Sequence, residues 1–528
     1  MRPIVPFLIA TALASAQGSD LKPPPEKSAK GFATIKHEDC KEWLYFLAGP
    51  ECEGRGTGQA GYQKAADFVA GKFKEWGLAP VADGGEAGTK SYFQMVPFVA
   101  DAIDAQSVVD SFTAGKEQIA LKVGEGFGLG GTGSLDVKDA GVVFVVAASN
   151  EKKLPEFDVA GKVVIAISLA PESGFASDIR WLTKLNEAKP AAVVRIDDVR
   201  AAAGVADGDW RREDQASPPS NGQAGGRRSR PLNVFVSKDV ASKLATAGGL
   251  DLEKLAAEVR KSEQPKKTAS TLKASLKAGS ARTKKGVPNV IGYLEGSDPT
   301  LKKELVIIGS HLDHLGRGRD GQIYPGADDD GSGSTALLAI ARAAALNGQR
   351  PKRSLLFIAM AAEEMGLLGS EWYVEHPIFP LADTVAELQL DMVGRWEEAH
   401  PSENPGDEKA EDNKNSLHLV GAKKISSQLH DIVIKLNADH IGFDFEYDGE
   451  KYYTRSDHYN FAKKGVPVTF MFTGVHRDYH MTTDTPDKID YPKLARVAQL
   501  NYLLAWELAD RKDRLVKDVK PAKPKKGE

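Results

Sequence analysis

Four apolar runs in the second half of the chain predict buried strands. Residues 305–310, 355–361, 385–390 and 466–472 are apolar almost throughout, as strands inside a sheet covered on both faces are. Residues 334–346 carry a helical pattern that ends before Gly348. Strands that alternate with helices in this way predict an α/β fold, with a mostly parallel, twisted sheet and helices on both of its faces.

The first half of the chain has a different pattern. Residues 38–47 and 62–76 predict amphipathic helices, and residues 17–37, rich in Pro, Lys and Ser, predict a linker. A long polar stretch, 207–230, predicts a solvated loop. Around it lie four short runs that predict strands of a β-rich region: 141–147, 162–168, 191–196 and 232–236.

Length and composition set the domain organisation. The chain has 528 residues, and a single core rarely exceeds about 250–300 residues, so at least two domains are expected. The net charge of −4 provides no general attraction to nucleic acid. The predicted divisions are a linker at 17–37, an α/β domain made of 38–100 and 285–512, an inserted β-rich domain at 101–284, and a Lys-rich tail at 513–528.

Residues 1–16 predict a secretory signal peptide. Arg2 precedes the short apolar segment 4–14, and the residues up to Ala16 fit a small-residue cleavage site. A membrane anchor is the alternative, but a span needs about 20 apolar residues. We therefore predict a secreted or periplasmic protein without a membrane span. In that compartment Cys40 and Cys52 form either a disulfide, which we favour, or two separate thiols.

Histidines and carboxylates recur where the predicted strands of the α/β domain end. In an open α/β sheet, ligands bind beyond the carboxyl ends of the strands, so these side chains are expected to meet at one edge. They are His311 and Asp313 after the first strand, Glu363 and Glu364 after the second, Asp391 after the third, His480 after the fourth, and Asp328, Asp329 and Asp330 before the helix.

Taken singly, these residues have ordinary structural explanations. The aspartates 328–330 could favour a helix start or form a calcium loop, although the sequence after Gly331 fits calcium poorly. Taken together, they suit zinc, which binds imidazole nitrogen and carboxylate oxygen. A carboxylate shared by two ions about 3.5–4 Å apart would hold both, and a free carboxylate beside them would accept a proton from the bridging water.

The ordered set of motifs resembles the two-zinc aminopeptidases of metallopeptidase family 28. The resemblance extends from about residue 38 to 510, apart from the central region. It rests on Glu53-Gly54-Arg55-Gly56-Thr57-Gly58, His311-Leu312-Asp313, Gly326-Ala327-Asp328-Asp329-Asp330-Gly331-Ser332-Gly333, Ala362-Glu363-Glu364-x-Gly366, Leu390-Asp391-Met392-Val393-Gly394-Arg395 and Tyr479-His480.

This resemblance implies a role for each matching residue. His311 and Asp391 would bind one zinc ion, Glu364 and His480 the other, and Asp329 would bridge the two. Glu363 would be the general base, which activates water and then protonates the leaving amine. Asp313 would hold the imidazole of His311, and Tyr479 would donate a hydrogen bond to the developing oxyanion.

The central region resembles a protease-associated domain, on the basis of residues 157–164 and 191–194. Such a domain would partly cover the active-site cleft or help select substrate. The stretch 207–230 departs from a compact version of that domain, and 396–415 is a second predicted insertion that follows Asp391 closely. Residues 452–458 either line the substrate pocket or form a packed loop, and His314, His458 and His476 are interpreted as structural or pocket-lining residues rather than metal ligands.

The sequence therefore predicts a secreted zinc exopeptidase with two zinc ions, which removes the N-terminal residue of a peptide substrate. Glu363 and Asp391 would recognise the free amino terminus. The alternatives are a carboxypeptidase, a dipeptidase or a glutaminyl cyclase on the same scaffold, or a receptor-like module without activity. A cyclase would need only one zinc ion, and a receptor would be expected to have lost ligands, whereas all five are present here.

Overall fold

The computed structural model describes residues 21–519, apart from 86–87, 131–133, 148–157, 170–181, 183, 204–208, 215–231, 263, 319–320 and 399–412. The predicted signal peptide at 1–16 lies outside the described residues. The same holds for most of the two predicted insertions, at 207–230 and 396–415, and for the end of the Lys-rich tail.

The helices of the described residues are, in chain order, α1 (Glu26–Phe32), α2 (His37–Leu47), α3 (Ala60–Glu75), α4 (Asp198–Ala203), α5 (Lys238–Ala247), α6 (Leu252–Ser262), α7 (Gly333–Leu346), α8 (Leu368–Glu375), α9 (Ser427–His440), α10 (His458–Lys463) and α11 (Tyr491–Asp510).

The strands of the same residues are β1 (Phe93–Ala114), β2 (Glu117–Ala120), β3 (Phe127–Gly130), β4 (Leu135–Ala147), β5 (Val163–Ser168), β6 (Ala192–Ile196), β7 (Asp209–Arg212), β8 (Asn233–Val236), β9 (Lys266–Leu294), β10 (Leu305–His311), β11 (Gly316–Arg317), β12 (Ile323–Tyr324), β13 (Ser354–Met360), β14 (Thr384–Leu390), β15 (Ser416–Val420), β16 (Asp444–Glu446) and β17 (Val468–Phe472).

The chain divides into two compact units, of which unit 1 contains residues up to 94, 289–314 and 325 onward. Its strands follow the order β16–β15–β17–β14–β10–β13, and the end of β9 pairs with β13. Strand β10 runs parallel to β13 and β14, and β14 runs parallel to β17. Their carboxyl ends therefore lie at the same edge, and the predicted α/β fold with a mostly parallel sheet is confirmed.

The core of unit 1 explains why these strands are apolar throughout. Every residue of β10, β13 and β14 is buried, which requires cover on both faces of the sheet. Ile307 and Leu356 pack with Tyr373 of α8 and Phe461 of α10. Helices α7 and α11 contact each other and β10.

The predicted linker at 17–37 is wrong for its second half, because α1 forms there and packs against unit 1. Ser28 and Gly31 are buried, and the Gly31 amide donates a hydrogen bond of 2.7 Å to Asn347. A Cβ atom at Gly31 would lie 2.5 Å from the carbonyl oxygen of Ala343. The Pro-, Lys- and Ser-rich composition predicted a solvated segment. The absence of a side chain at Gly31 instead allows α1 to pack closely against α7.

The favoured disulfide is also wrong. Cys40 and Cys52 are free, buried thiols. Burial raises the pKa of the Cys40 thiol to about 12 and that of the Cys52 thiol to about 11. Both side chains are therefore protonated and pack as small apolar groups.

Unit 2 contains residues 95–288 and 315–324. Its main strands follow the order β9–β4–β5–β6–β8–β3, in which β4, β5, β6 and β8 are successively parallel. Val142, Phe144, Ile165 and Val194 from these strands share one core cluster with Leu244 of α5. The four strands predicted in this region are confirmed. Across the part of the chain that the structure describes, no helix combines the length and apolarity needed to span a bilayer.

Candidate metal centre

The five predicted ligands lie together at the carboxyl edge of the unit 1 sheet. His311 is the last residue of β10, Asp391 follows β14, and Glu364 lies four residues after β13. Asp329 and His480 come from the loops before α7 and after β17. The parallel arrangement of these strands explains how residues so far apart in sequence converge.

Asp329 lies in the middle of the cluster, with one carboxylate oxygen directed to each side. Its Oδ1 is 3.3 Å from Nε2 of His311, and the same nitrogen is 3.4 Å from Oδ1 of Asp391. The other oxygen, Oδ2, is 3.1 Å from Nε2 of His480, which lies 3.3 Å from Oε2 of Glu364. We call His311 with Asp391 the His311 side, and His480 with Glu364 the His480 side.

These separations suit a bound ion better than direct hydrogen bonds. Ligand atoms held about 2.1 Å from a tetrahedral zinc ion are themselves about 3.4 Å apart. Charge-assisted N–H···O bonds are shorter, about 2.7–2.9 Å. Both sides therefore have the donor atoms and the spacing of a zinc site, and Asp329 belongs to both.

The two neighbours of Asp329 hydrogen-bond to backbone amides, although an oxygen of Asp330 also lies within 4.8 Å of ligand atoms of His311 and Asp391. The Asp330 carboxylate accepts hydrogen bonds from the amides of His311 at 3.2 Å, Gly333 at 2.8 Å and Met392 at 3.1 Å. The Asp328 carboxylate accepts one from Gly394 at 2.7 Å and lies 3.1 Å from Nε2 of His476. Of the three consecutive aspartates, only the middle one faces both sides.

Arg55 holds the glycine-rich segment 53–58 against the site. The guanidinium is fully buried and donates hydrogen bonds to the carbonyl oxygens of Leu312 at 2.8 Å and Gly326 at 2.6 Å. Burial lowers the pKa of Arg55 from its usual value. These bonds fix the loop before Asp329 to the end of β10. The family resemblance pointed to this segment, but no sequence pattern predicted that Arg55 would connect these two loops.

Asp313 acts differently from the prediction. Nδ1 of His311 lies 3.0 Å from the backbone carbonyl oxygen of Asp313 but 4.0 Å from its carboxylate. The carboxylate instead accepts hydrogen bonds from the Thr57 hydroxyl at 2.7 Å and the Glu363 amide at 3.0 Å. Asp313 therefore positions the backbone of Glu363, while its carbonyl group orients His311.

Glu363 lies beside the cluster and lines a pocket with it. Burial, together with the negative charges of Asp391 and Glu364, raises the pKa of its carboxyl group well above the ordinary value. A nearby cation would lower the pKa of this carboxyl group. Ala362, Met392 and His480 all adopt left-handed backbone conformations, and strain of this kind is often found at functional sites.

The pocket combines the cluster with an apolar wall. Tyr452 and Arg455 belong to this lining, so the pocket-lining interpretation of residues 452–458 is confirmed for these two. The Tyr479 ring stacks on that of His480, with centroids 3.8 Å apart, and burial raises the pKa of its hydroxyl. The lining residues are His311, Asp329, Glu363, Asp391, Met392, Tyr452, Arg455, Phe470, Phe472, Val475, Tyr479 and His480.

Two polar residues to which the sequence analysis gave no specific role lie close to the cluster. His314 was interpreted as structural or pocket-lining, and its Nδ1 lies 2.7 Å from Oε1 of Glu364, a contact that orients this carboxylate. Asp457 is buried, and burial raises the pKa of its carboxyl group to about 7. No spacing rule identifies Asp457, since only the fold brings it near the cluster.

Part of the chain is similar to a known peptidase family. Residues 289–505 match the model of peptidase family M28. We call the matched segment the M28 domain. The M28 domain contains all five predicted ligands and Glu363, and apart from residues 315–324 it falls within unit 1.

Curated relatives match over about 200 residues of the chain. Leupeptin-inactivating enzyme 1 of Streptomyces exfoliatus is 31% identical over 201 residues, which are 38% of this chain and 38% of the relative. Probable leucine aminopeptidase 2 of Aspergillus oryzae is 31% identical over 207 residues, 39% of this chain and 37% of the relative. The chain thus spans less than two-fifths of the length of these two relatives.

A solved structure extends the likeness beyond the M28 domain. BSAP, a zinc aminopeptidase from Bacillus subtilis, aligns with 92% of this chain and 99% of its own, with a TM-score of 0.50 and 18% sequence identity. At this level of identity the likeness concerns the fold alone.

Proposed function

We propose that the protein is a zinc-dependent exopeptidase that removes the N-terminal residue of peptides, with two zinc ions and Glu363 as the general base. One observation carries the proposal. Asp329 offers one oxygen to the His311 side and the other to the His480 side, at 3.3 and 3.1 Å from the imidazole nitrogens. The M28 domain and the aminopeptidase names of its relatives support the same reaction class.

The residues fit the proposed ions. Two imidazole nitrogens and three carboxylates are donors that zinc accepts, and each side leaves room for further ligands. When bound, two zinc ions would lower the pKa of an attacking water and polarise the peptide carbonyl group. His311 and Asp391 would hold one ion, Glu364 and His480 the other, and Asp329 both.

Glu363 is proposed to move the proton. Its carboxylate would accept a proton from the attacking water and then deliver it to the nitrogen of the leaving amine. The hydrogen bond from its amide to Asp313, at 3.0 Å, holds its backbone in place. Tyr479, stacked on His480 at the pocket wall, is proposed to donate a hydrogen bond to the carbonyl oxygen as negative charge develops on it.

The substrate is proposed to bind with its free amino group near Glu363 and Asp391. Met392, Phe470, Phe472 and Val475 line the same pocket, so an apolar first side chain fits its wall. Unit 2 contains the region that resembles a protease-associated domain, and we propose that this region helps select the substrate. Export, with cleavage near Ala16, stays a prediction.

Replacement of Glu363 tests the proposal directly. Glu363→Gln should reduce kcat by about 10²–10⁴-fold, the usual contribution of a general base, and leave the zinc content unchanged. The measurement is turnover of aminoacyl chromogenic substrates, with zinc counted on the same sample. Near-normal turnover in this variant would remove Glu363 as the base.

Arg455 supports a second candidate. Its side chain lines the pocket, and a guanidinium group there could bind a peptide carboxylate, as a dipeptidase or carboxypeptidase would require. Peptides with free and blocked termini separate the activities. An aminopeptidase tolerates an amidated C-terminus and rejects a blocked N-terminus, whereas a carboxypeptidase shows the reverse preference and a dipeptidase needs both termini free.

A further inference from the structure

A second group of histidine and carboxylate side chains lies in unit 1, apart from the candidate metal centre. Its centre is His418 on β15, whose side chain is 1% exposed. Neither ring nitrogen makes a hydrogen bond of normal geometry within the described residues. Burial of an imidazole without such a bond destabilises the folded state, so a partner for these nitrogens is expected.

Three carboxylates face this imidazole. Oε2 of Glu397 and Oε2 of Glu446 lie 3.3 and 3.5 Å from Nε2 of His418. On the other side of the ring, Oδ1 of Asp448 lies 3.0 Å from Nδ1.

A protonated histidine accounts for one carboxylate at each ring nitrogen, but not for the second carboxylate at Nε2. Nε2 carries at most one proton, yet two carboxylates approach it at nearly equal distances. Both distances exceed the roughly 2.7–2.9 Å of a charge-assisted hydrogen bond. They agree with the separation of about 3.4 Å between ligands of a tetrahedral zinc ion, and they resemble the 3.1–3.4 Å separations around Asp329.

We propose that His418, Glu397 and Glu446 bind a further zinc ion. Nε2 of His418 and one oxygen of each glutamate are the ligands, and these three atoms lie within 4.8 Å of one another. Asp448, whose Oδ1 lies 3.0 Å from Nδ1, occupies the position behind the ring from which carboxylates commonly orient a metal-bound histidine. The side chains of Glu397 and Glu446 are 21% and 31% exposed, so water can complete the coordination.

The position of this site indicates what the ion does. The His418 ring lies 5.6 Å from that of Phe472, which lines the pocket. The amide of Glu398, next to Glu397, donates a hydrogen bond of 3.1 Å to the carbonyl oxygen of Val475, another lining residue. A zinc ion here joins β15, β16 and the segment after Arg395, and so supports one wall of the pocket.

The test counts metal in the full chain. Wild type, Glu446→Gln and the control Asp431→Asn are dialysed together against buffer with trace zinc, and bound zinc is measured by mass spectrometry. Asp431 is a suitable control because it also lies beside a histidine, with 3.4 Å between Oδ1 and Nδ1 of His430, but without a second carboxylate. Glu446→Gln should lose one zinc equivalent, and Asp431→Asn should lose none.

Equal zinc content in all three proteins would overturn the proposal, because His418 would then be an ion-paired imidazolium. If Glu446→Gln loses all of its zinc through misfolding, Glu397→Gln decides by the same count. A separate variant, Asp329→Ala, should keep the equivalent bound at His418 while losing metal from the candidate metal centre. The count thus distinguishes failure of this site from failure of the proposed peptidase centre.

Discussion

The two sides of the candidate metal centre are built from the same kinds of residue but held differently. On the His311 side, the histidine and aspartate side chains are 1% and 8% exposed. On the His480 side, the histidine is 35% and the glutamate 10% exposed. His311 belongs to a central strand and its ring is held by a backbone carbonyl, whereas His480 lies on a loop, with its ring stacked on Tyr479.

The histidine of the His311 side is therefore held by the sheet, whereas that of the His480 side is held by a loop. We expect the His311 side to be preorganised and to release its metal slowly. The His480 side faces solvent more openly, so its metal should exchange faster. Asp329 links the two sides, so they are expected to behave as one centre.

The largest effect is expected from Asp329→Ala, which removes the carboxylate that both sides share. Zinc content at the centre should fall sharply, and kcat/KM should drop by about a thousandfold or more. Metal catalysis contributes several kcal/mol, and each 1.36 kcal/mol is a factor of about ten in rate. The measurements are zinc content and activity, with Asp383→Ala as a control on a turn that does not line the pocket.

The control should keep both properties, and if Asp329→Ala also kept its full zinc content at the centre, Asp329 could not be the shared ligand. In that case the two sides would be independent sites.

An intermediate effect is expected when a chelator removes the zinc, because the two sides should release their ions at different rates. Zinc should leave in a fast phase from the His480 side and a slow phase from the His311 side. In His480→Ala the fast phase should be missing while the slow phase remains. The time course of zinc released to a chromogenic chelator gives both rates when it is recorded in the Glu446→Gln background, which lacks the ion proposed at His418. One common rate for both ions would show that exposure does not distinguish the sides.

The smallest effect is expected from Thr57→Val, which removes the hydrogen bond to Asp313 at 2.7 Å. Such a bond contributes about 0.5–1.5 kcal/mol, so kcat should fall by roughly two- to tenfold while zinc content stays constant. Thr34→Val is a matched control, since its hydroxyl also donates a 2.7 Å hydrogen bond, to the Gly31 carbonyl oxygen, in a different part of unit 1.

An unchanged KM with a lowered kcat would indicate that Thr57 acts by positioning Glu363. Loss of zinc in this variant would instead show that Thr57 supports the metal ligands themselves.

Much of the candidate site was predictable because its residues follow strands. Apolar runs placed β10, β13, β14 and β17 within a few residues, and the carboxyl ends of parallel strands share an edge. His311, Glu364 and Asp391 could therefore be grouped by their positions after these strands. Asp329 needed the family resemblance, since the sequence does not show which of three aspartates faces the ligands.

The rest depended on contacts that sequence patterns do not record. Arg55 binds carbonyl oxygens of segments some 260 residues away, and His418 meets Glu397 and Glu446 without a fixed spacing. Helix α1 was hidden by a composition typical of linkers. In each case the tertiary packing of unit 1, rather than local periodicity, determines the outcome.

The most direct measurement of the central claim is an anomalous difference map from crystals of the zinc-loaded protein, recorded on both sides of the zinc absorption edge. Two peaks about 3.5–4 Å apart are expected, one between His311 and Asp391 and the other between His480 and Glu364, with one Asp329 oxygen directed to each. A single peak at this edge of the sheet, or two peaks that Asp329 does not join, would contradict the account.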